Sequence, residues 1–221
     1  MEQIIPKKEW SVAIRWNHWI MAVLIFILIA TGFYIAEGVP LSNDADTREM
    51  TVNLFLHVLF GILLVYVFIW RVYLMFFSRF HADWKDFFSF LNVKNFIKQI
   101  KFYLLISKEP PEHTHLYGPL QALAYAGLLA MVFLIVLTGL ILTGAAGYHG
   151  GLTAVVYKML RPVETMMGGL AIVRFIHHIL TWCFVLFIVV HIYMAFWYDA
   201  IFKEGTISSM ISGLVFRKEH K

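Results

Sequence analysis

The chain is poor in cysteine, with Cys183 as its only thiol among 221 residues. One thiol excludes an intramolecular disulfide bond, an iron–sulfur cluster held by several thiolates of this chain, and the CxxCH motif that attaches heme covalently. Any heme that this chain binds is therefore held without thioether links.

Charged residues are also scarce, at 14 % of the chain, whereas hydrophobic residues make up 60 %. Soluble domains carry a charge at roughly a quarter of their positions. Four apolar runs, at about 17–37, 54–77, 119–144 and 175–198, have the roughly 20 residues that a helix needs to cross a bilayer. The sequence predicts an all-α integral membrane four-helix bundle, surrounded by lipid, that forms a single domain over residues 1–221.

The distribution of basic residues predicts the orientation of the spans. Lys7, Lys8 and Arg15 precede span one, and the loop after it is acidic around Asp44 and Asp46. Further basic residues lie between spans two and three and after span four: Arg79, Lys85, Lys94, Lys98, Lys101, Lys108, Lys203, Arg217, Lys218 and Lys221. By the positive-inside rule both termini are expected in the cytoplasm. These basic loops account for the net charge of +4. The sequence has no basic surface domain that would bind nucleic acid, so a nucleic-acid partner is not expected.

Two shorter segments are predicted to be surface helices. Residues 84–106 mix apolar side chains with Lys94, Lys98 and Lys101, which is typical of an amphipathic helix in the membrane interface. This helix would lie between spans two and three. The apolar stretch 153–160, in the outer loop before span four, is the second segment.

The histidines of the apolar runs carry the strongest functional signal. His177 and His191 are 14 residues apart in span four, so a helix places them within about 40° of one face and about 21 Å apart along its axis. His18 begins span one on the cytoplasmic side and His57 begins span two on the outer side. Depth therefore pairs His18 with His191 and His57 with His177, as axial ligands of two heme groups.

A single histidine in a membrane span is commonly a polar residue bonded to a neighbouring helix. Four histidines at two matched depths favour ligation instead, because ionisable residues inside spans are costly and usually functional. An iron with two histidine ligands has no open coordination position and transfers electrons rather than binding oxygen. His178 is turned roughly 100° from the face of His177, so it is assigned either to a hydrogen bond that supports a ligand or to bonding with a neighbouring helix.

Each of several other residues near these histidines has two possible roles. Gly32, Gly61 and Gly139 would let a flat macrocycle approach the backbone, or would serve close helix packing. Arg15 and Arg174 stand three residues before His18 and His177, where they would meet heme propionates or anchor the chain at the interface.

Several motifs resemble those of one family of membrane cytochromes. They cover nearly the whole chain in the expected order: RWNHW at 15–19, LHVLFG at 56–61, HLYGPLQALAY at 115–125, RFIHH at 174–178, HIYMAFWYD at 191–199 and GTISSMISG at 205–213. The chain resembles the cytochrome b subunit of membrane-bound nickel–iron hydrogenases. The larger group includes the cytochrome subunits of formate dehydrogenase (gamma) and thiosulfate reductase, and the GTISSMISG tail favours the hydrogenase branch.

The resemblance implies a multi-pass protein of the bacterial inner membrane with two heme b groups, held by the four histidines paired above. It implies a site on the cytoplasmic side for a quinone, menaquinone or ubiquinone, where the matching residues are His115, Tyr117, Gly118 and Gln121. His115 is a candidate proton donor to the quinone, or a helix N-terminal residue on a wet loop. The implied partners are the iron–sulfur small subunit and the large subunit of the hydrogenase, which would carry out the hydrogen chemistry.

Two alternative functions stay open at this point. The first keeps the cytochrome but exchanges the partner for a formate dehydrogenase or a thiosulfate or polysulfide reductase. The second is a membrane transporter or anchor whose histidines line a proton or metal path, and it predicts no heme spectrum. A ferric-reductase-type cytochrome would carry two ligand histidines on each of two helices, unlike the distribution in this chain.

Overall fold

The computed structural model describes residues 3–37, 47–77, 91–103, 106, 119–146 and 151–219. Its helices and strands follow one another as β1 (Gln3–Lys8), α1 (Val12–Glu37), α2 (Thr47–Phe77), α3 (Val93–Tyr103), α4 (Pro119–Ala145), α5 (Gly151–Met166), α6 (Leu170–Phe202), α7 (Thr206–Ser212) and β2 (Leu214–Glu219).

Four of these helices, α1, α2, α4 and α6, are long and apolar enough to cross a membrane. They match the four predicted spans, but α1, α2 and α6 begin five to seven residues earlier than the apolar runs suggested. The reason at α1 is a cap, because the Ser11 hydroxyl accepts a hydrogen bond from the backbone N–H of Ile14 at 3.2 Å. Helical hydrogen bonding in α1 thus begins at the cap, before the apolar run at 17.

The outer surfaces of the four long helices are apolar. Large side chains such as Phe26, Tyr66, Phe133 and Leu186 are exposed on α1, α2, α4 and α6 respectively. In water such surfaces would mark an interaction site, whereas lipid tails solvate them without cost. An all-α membrane bundle is the architecture that these four helices form.

The two predicted surface helices are also present. Residues 93–103 of the predicted amphipathic segment form α3, on which Lys94, Lys98 and Lys101 are exposed and Asn95 is buried. Residues 84–90 of that segment lie outside the described residues. The stretch predicted at 153–160 is part of α5, which extends over Gly151–Met166.

Contacts divide the chain into two compact units, to which each long helix contributes residues. The first comprises Met1–Trp16, Ile69–Ala130 and Met194–Lys221, and the second comprises Asn17–Phe68 and Met131–Tyr193.

The first unit contains a small sheet that the sequence analysis did not predict. Strands β1 and β2 pair antiparallel, with Lys8 opposite Leu214. Beside the sheet, the carbonyl of Gly213 accepts hydrogen bonds from the backbone N–H groups of Glu9 at 2.9 Å and Trp10 at 3.3 Å. We call β1, residues 9–11, α7, Gly213 and β2 the terminal clasp.

Side chains strengthen the terminal clasp and connect it to the helices of the same unit. The Trp10 indole N–H donates to the hydroxyl of Ser209 at 3.1 Å. Trp10 also packs against a buried apolar cluster of Ile14, Leu74 and Ala122. The two ends of the described chain are therefore fastened to one another.

In the second unit, two asparagines set the register of α1 against α2. Asn17 is 1 % exposed, and its Nδ2 donates to the carbonyl of Val67 at 3.0 Å. Asn53 donates to the carbonyl of Thr31 at 3.0 Å. Because a buried amide has few other partners in an apolar bundle, these bonds favour one axial position of the two helices.

Candidate functional site

The four predicted ligand histidines form two pairs in the second unit. The imidazole of His18 on α1 lies opposite that of His191 on α6, with ring centres 6.2 Å apart and planes inclined by 47°. His57 on α2 lies opposite His177 on α6, with ring centres 6.4 Å apart and planes inclined by 74°. These are the partners expected from depth in the spans. Their role as ligands stays a prediction.

The spacing of the rings fits one metal atom between the members of each pair. A bond from a metal to an imidazole nitrogen is about 2.0 Å long. A ring built from bonds of about 1.3 Å has its centre about 1.1 Å from each atom, so two rings on opposite sides of a metal have centres about 6.2 Å apart. Both observed separations agree with this value, so the residues present fit a heme with two axial histidines.

In the His57–His177 pair, each ring is held through its Nδ1 atom by a threonine. The Nδ1 of His57 lies 2.8 Å from the hydroxyl oxygen of Thr31 on α1. The Nδ1 of His177 lies 2.8 Å from the hydroxyl oxygen of Thr138 on α4, a residue that is fully buried. Both bonds leave Nε2 as the ring nitrogen that faces away from the threonine, where a metal would bind.

A glycine follows each of these threonines and lies against the same imidazole ring. A Cβ atom at Gly32 would come within 3.2 Å of Cε1 of His57, and one at Gly139 within 3.4 Å of Cε1 of His177. Gly32 therefore allows the ring of His57 to lie closer to the helix than a side chain there would permit, whereas at Gly139 a Cβ atom would make an ordinary contact with the ring of His177. At Gly61, by contrast, a Cβ atom would meet no described atom within 4 Å, which leaves open space one turn from His57.

The His18–His191 pair has different surroundings. The Nδ1 of His18 is buried and has no hydrogen-bond partner among the described residues. The ring of His191 stacks on Phe187 at 5.5 Å, and Trp19 meets the ring of His18 edge-on at 5.2 Å. This pair is thus surrounded by aromatic rings, whereas the other pair is anchored by hydroxyl groups.

His178 belongs to neither pair, and its hydrogen-bond partner is on α6 itself rather than on a neighbouring helix. Its Nε2 accepts a hydrogen bond from the indole N–H of Trp182 at 3.2 Å. Phe33 on α1 meets the rings of both residues edge-on. The exposed His178 therefore has a structural partner of its own.

The surroundings of the two arginines predicted to meet heme propionates, Arg15 and Arg174, do not indicate this role. Arg15 donates a hydrogen bond to the carbonyl of Ile211 in the terminal clasp, and its Nε is buried without a partner among the described residues. Arg174 is exposed. A propionate role for either arginine stays a prediction.

The predicted quinone residues cannot be placed. His115, Tyr117 and Gly118 lie outside the described residues, and Gln121 belongs to α4 but its side chain is not among those described. The quinone site stays a prediction from the resemblance. In the described part of the chain, no three residues of the types His, Cys, Asp and Glu come together to hold a metal ion.

Thr31 and Thr138 were not predicted from the sequence. Both stand immediately before a glycine inside an apolar span, but the dipeptide Thr-Gly occurs once in span one, at 31–32, and twice in span three, at 138–139 and 143–144. The dipeptide is therefore a signal for such positions, although it does not distinguish Thr138 from Thr143. The histidines that face Thr31 and Thr138 are 26 and 39 residues away in the sequence.

Known proteins are similar to this chain over most of its length. Residues 9–213 match the family model described as prokaryotic cytochrome b561. The chain is 28 % identical over 212 residues to the "Probable Ni/Fe-hydrogenase B-type cytochrome subunit" of Rhodobacter capsulatus, covering 90 % of this chain and 78 % of the relative. It is 26 % identical over 210 residues to the protein of that name in Cupriavidus necator, covering 90 % and 83 %.

Proposed function

Because the chain belongs to the prokaryotic cytochrome b561 family, we propose that it is the diheme b-type cytochrome subunit of a membrane-bound nickel–iron hydrogenase. In this role it passes electrons from the iron–sulfur subunit to the quinone pool. The observation that carries the proposal is the pair of ring separations, 6.2 Å for His18–His191 and 6.4 Å for His57–His177. Residues 1–221 then form a single diheme domain.

The four histidines hold the cofactors and define the electron path. When bound, each heme would accept and release one electron. The α6 residues His177 and His191 would set the two sites about 21 Å apart along that helix, measured at the ligands. Two histidines at each site would hold the iron without leaving a position for oxygen or a substrate, so the cofactor would supply electron transfer.

The proposed direction follows from the predicted topology. The His57–His177 site lies near the outer side, where the iron–sulfur small subunit and the large subunit of the hydrogenase would deliver electrons. The His18–His191 site lies near the cytoplasmic side, where menaquinone or ubiquinone would be reduced with protons taken from the cytoplasm. His115, Tyr117, Gly118 and Gln121 are the candidate residues for that reduction. Both termini would be cytoplasmic, in the bacterial inner membrane.

The names of the relatives favour a hydrogenase partner over the alternatives. Both relatives described above are named as cytochrome subunits of Ni/Fe-hydrogenases, and none of the similar proteins is named for formate, thiosulfate or polysulfide. The hydrogen chemistry belongs to the partner subunits, so the purified chain should oxidise no hydrogen by itself.

A pyridine hemochrome spectrum with the heme-to-protein ratio, measured on the purified chain after expression with ample heme, tests the proposal. We expect two b-type hemes per chain. His57→Leu and His177→Leu should each lose one heme, and the double variant should lose no more than either single variant, because both ligands serve one site. His18→Leu and His191→Leu should behave in the same way at the other site.

The matched control is His178→Leu, which changes a neighbouring histidine of the same helix that bonds to Trp182. It should keep both hemes. A chain without heme would overturn the proposal and favour a transporter or anchor. Loss of a heme in the His178 variant, or loss of both hemes in the double variant at positions 57 and 177, would contradict the assignment of the pairs.

A further inference from the structure

The same arrangement occurs twice around the His57–His177 pair. In each case a helix carries Thr-Gly, and the helix that follows it among the four spans carries the histidine. Thr31 and Gly32 of α1 contact the ring of His57 on α2, and Thr138 and Gly139 of α4 contact the ring of His177 on α6. The hydroxyl meets Nδ1 and the glycine lies against Cε1 of the same ring.

The hydrogen bonds of the threonines determine which partner donates. A hydroxyl has one proton. The Thr31 hydroxyl directs it to the carbonyl of Ile27 at 2.8 Å, with Leu28 at 3.3 Å. The Thr138 hydroxyl directs its proton to the carbonyl of Leu134 at 2.8 Å, with Ile135 at 3.1 Å. Each hydroxyl oxygen is therefore left to accept a hydrogen bond from the imidazole Nδ1–H.

This direction of donation selects one tautomer of each histidine. With the proton on Nδ1, the Nε2 atom carries the lone pair that a metal requires. Donation of Nδ1–H to an acceptor also makes Nε2 a stronger electron donor. A stronger donor stabilises the oxidised iron more than the reduced iron, so the reduction potential falls. Hydrogen bonding around the ligands is one of the means by which a protein sets heme potentials.

The other pair provides a contrast within the same molecule. No hydroxyl bonds to the ring of His18 or His191 among the described residues, and the Nδ1 of His18 has no partner there. Thr31 and Thr138 therefore contact the rings of one pair and not those of the other.

We propose that Thr31 and Thr138 are positioning residues that select the Nδ1–H tautomer of His57 and His177 and lower the reduction potential of the heme they hold. This inference rests on the proposed function, because it requires a heme at that pair. Threonines in membrane helices often bond to a backbone carbonyl one turn earlier, and such a bond alone gives no role. The contact of both hydroxyls with a ligand ring distinguishes these two.

Thr181 offers the matched control. Its hydroxyl donates to the backbone carbonyl of His177, four residues earlier, at 3.0 Å. This is the kind of bond that Thr138 makes to the carbonyl of Leu134, but it involves the backbone of His177 and not the ring. Thr181→Val therefore removes a hydroxyl from the same helix and leaves the ring of His177 in its environment.

The test is a redox titration of the purified chain, followed optically and by the electron paramagnetic resonance of the two ferric hemes. In Thr31→Val and in Thr138→Val we expect two hemes per chain, an upward shift in the midpoint potential of one heme, and no change in the other. The double variant should show the larger shift, with an altered resonance of the same heme, because the ring orientation loses its anchor. Serine at either position keeps the hydroxyl and should restore both properties.

Three results would overturn the inference: unchanged potentials in the double variant, equal shifts of both hemes, or a shift in Thr181→Val as large as in Thr138→Val. If the valine variants lose heme, Thr31→Ala and Thr138→Ala remove the hydroxyl without placing a methyl group against the ring, and the same criteria apply to them. A wild-type chain without heme would refute the proposed function itself. Two bound hemes whose midpoint potentials are unchanged in the threonine variants would refute this inference alone.

Discussion

Replacement of Gly213 should open the terminal clasp. Gly213 has φ 84° and ψ 2°, a left-handed conformation that caps the C-terminus of α7. A Cβ atom at this position would lie 2.9 Å from the carbonyl oxygen of Trp10. That oxygen has little freedom to move, because the N–H of Trp10 and the N–H of Glu9 are both bonded to Gly213.

The cost of Gly213→Ala is the sum of these two effects. A side chain in the left-handed region costs about 1 kcal/mol or somewhat more. Forcing an atom into a packed site costs about 1–3 kcal/mol when its neighbours cannot move away. The clasp should thus be destabilised by at least about 2 kcal/mol, which corresponds to about a 30-fold increase in its opening equilibrium.

Hydrogen exchange of the chain in lipid nanodiscs, read by mass spectrometry on peptides that contain residues 9 and 10, measures this opening. Two controls separate the effects. Gly151→Ala has φ 62° but no atom within 4 Å of the new Cβ, so it reports strain without a clash. Gly127→Ala lies in α4 with the same open space and no positive φ, and should gain helical stability by up to about 1 kcal/mol. Exchange at residues 9 and 10 that is unchanged by Gly213→Ala would refute the reasoning.

Two further outcomes are expected. Gly32→Ala should weaken retention of the heme held by His57, since the ring must move by a few tenths of an ångström to relieve a 3.2 Å contact. Gly139→Ala creates an ordinary 3.4 Å contact and should retain both hemes. Equal heme-to-protein ratios of the two variants after gel filtration would contradict this expectation. On α5, a hydrogen bond to Glu164 raises the pKa of Tyr157 above its usual value of 10.0. The contact therefore stabilises the fold at pH values below the pKa of Tyr157 in the unfolded chain, and this stabilisation is lost as the pH rises through the pKa of Tyr157 in the folded chain. Glu164→Gln should lower that pKa, measured by ultraviolet titration against Tyr157→Phe, and an unchanged titration would refute the contact.

The spans were predictable because the signal for them is local. An apolar run of sufficient length has one stable form in a bilayer, and the four runs of this chain all became helices. Their ends were placed less well, because a helix ends where its backbone hydrogen bonds end. Ser11 caps α1 six residues before the apolar run at 17 begins, and hydropathy carries no information about such a cap.

The small sheet of the terminal clasp was not predictable from either strand alone. QIIPKK and LVFRKE are short, and in each a few apolar residues are followed by charged ones. Their pairing joins Lys8 to Leu214, so each strand is stable only beside a partner from the other end of the chain. A local pattern cannot report a contact of that kind.

At the candidate site, the amino-acid sequence was enough to select four histidines and to pair them by depth. Depth follows from position along a helix that must cross a layer of known thickness, and the helical repeat fixes the face shared by His177 and His191. Neither rule says how a helix is rotated against its neighbours. The packing of α1 on α2 and of α4 on α6 brought Thr31 and Thr138 to the rings, and it left the Nδ1 of His18 without a partner among the described residues.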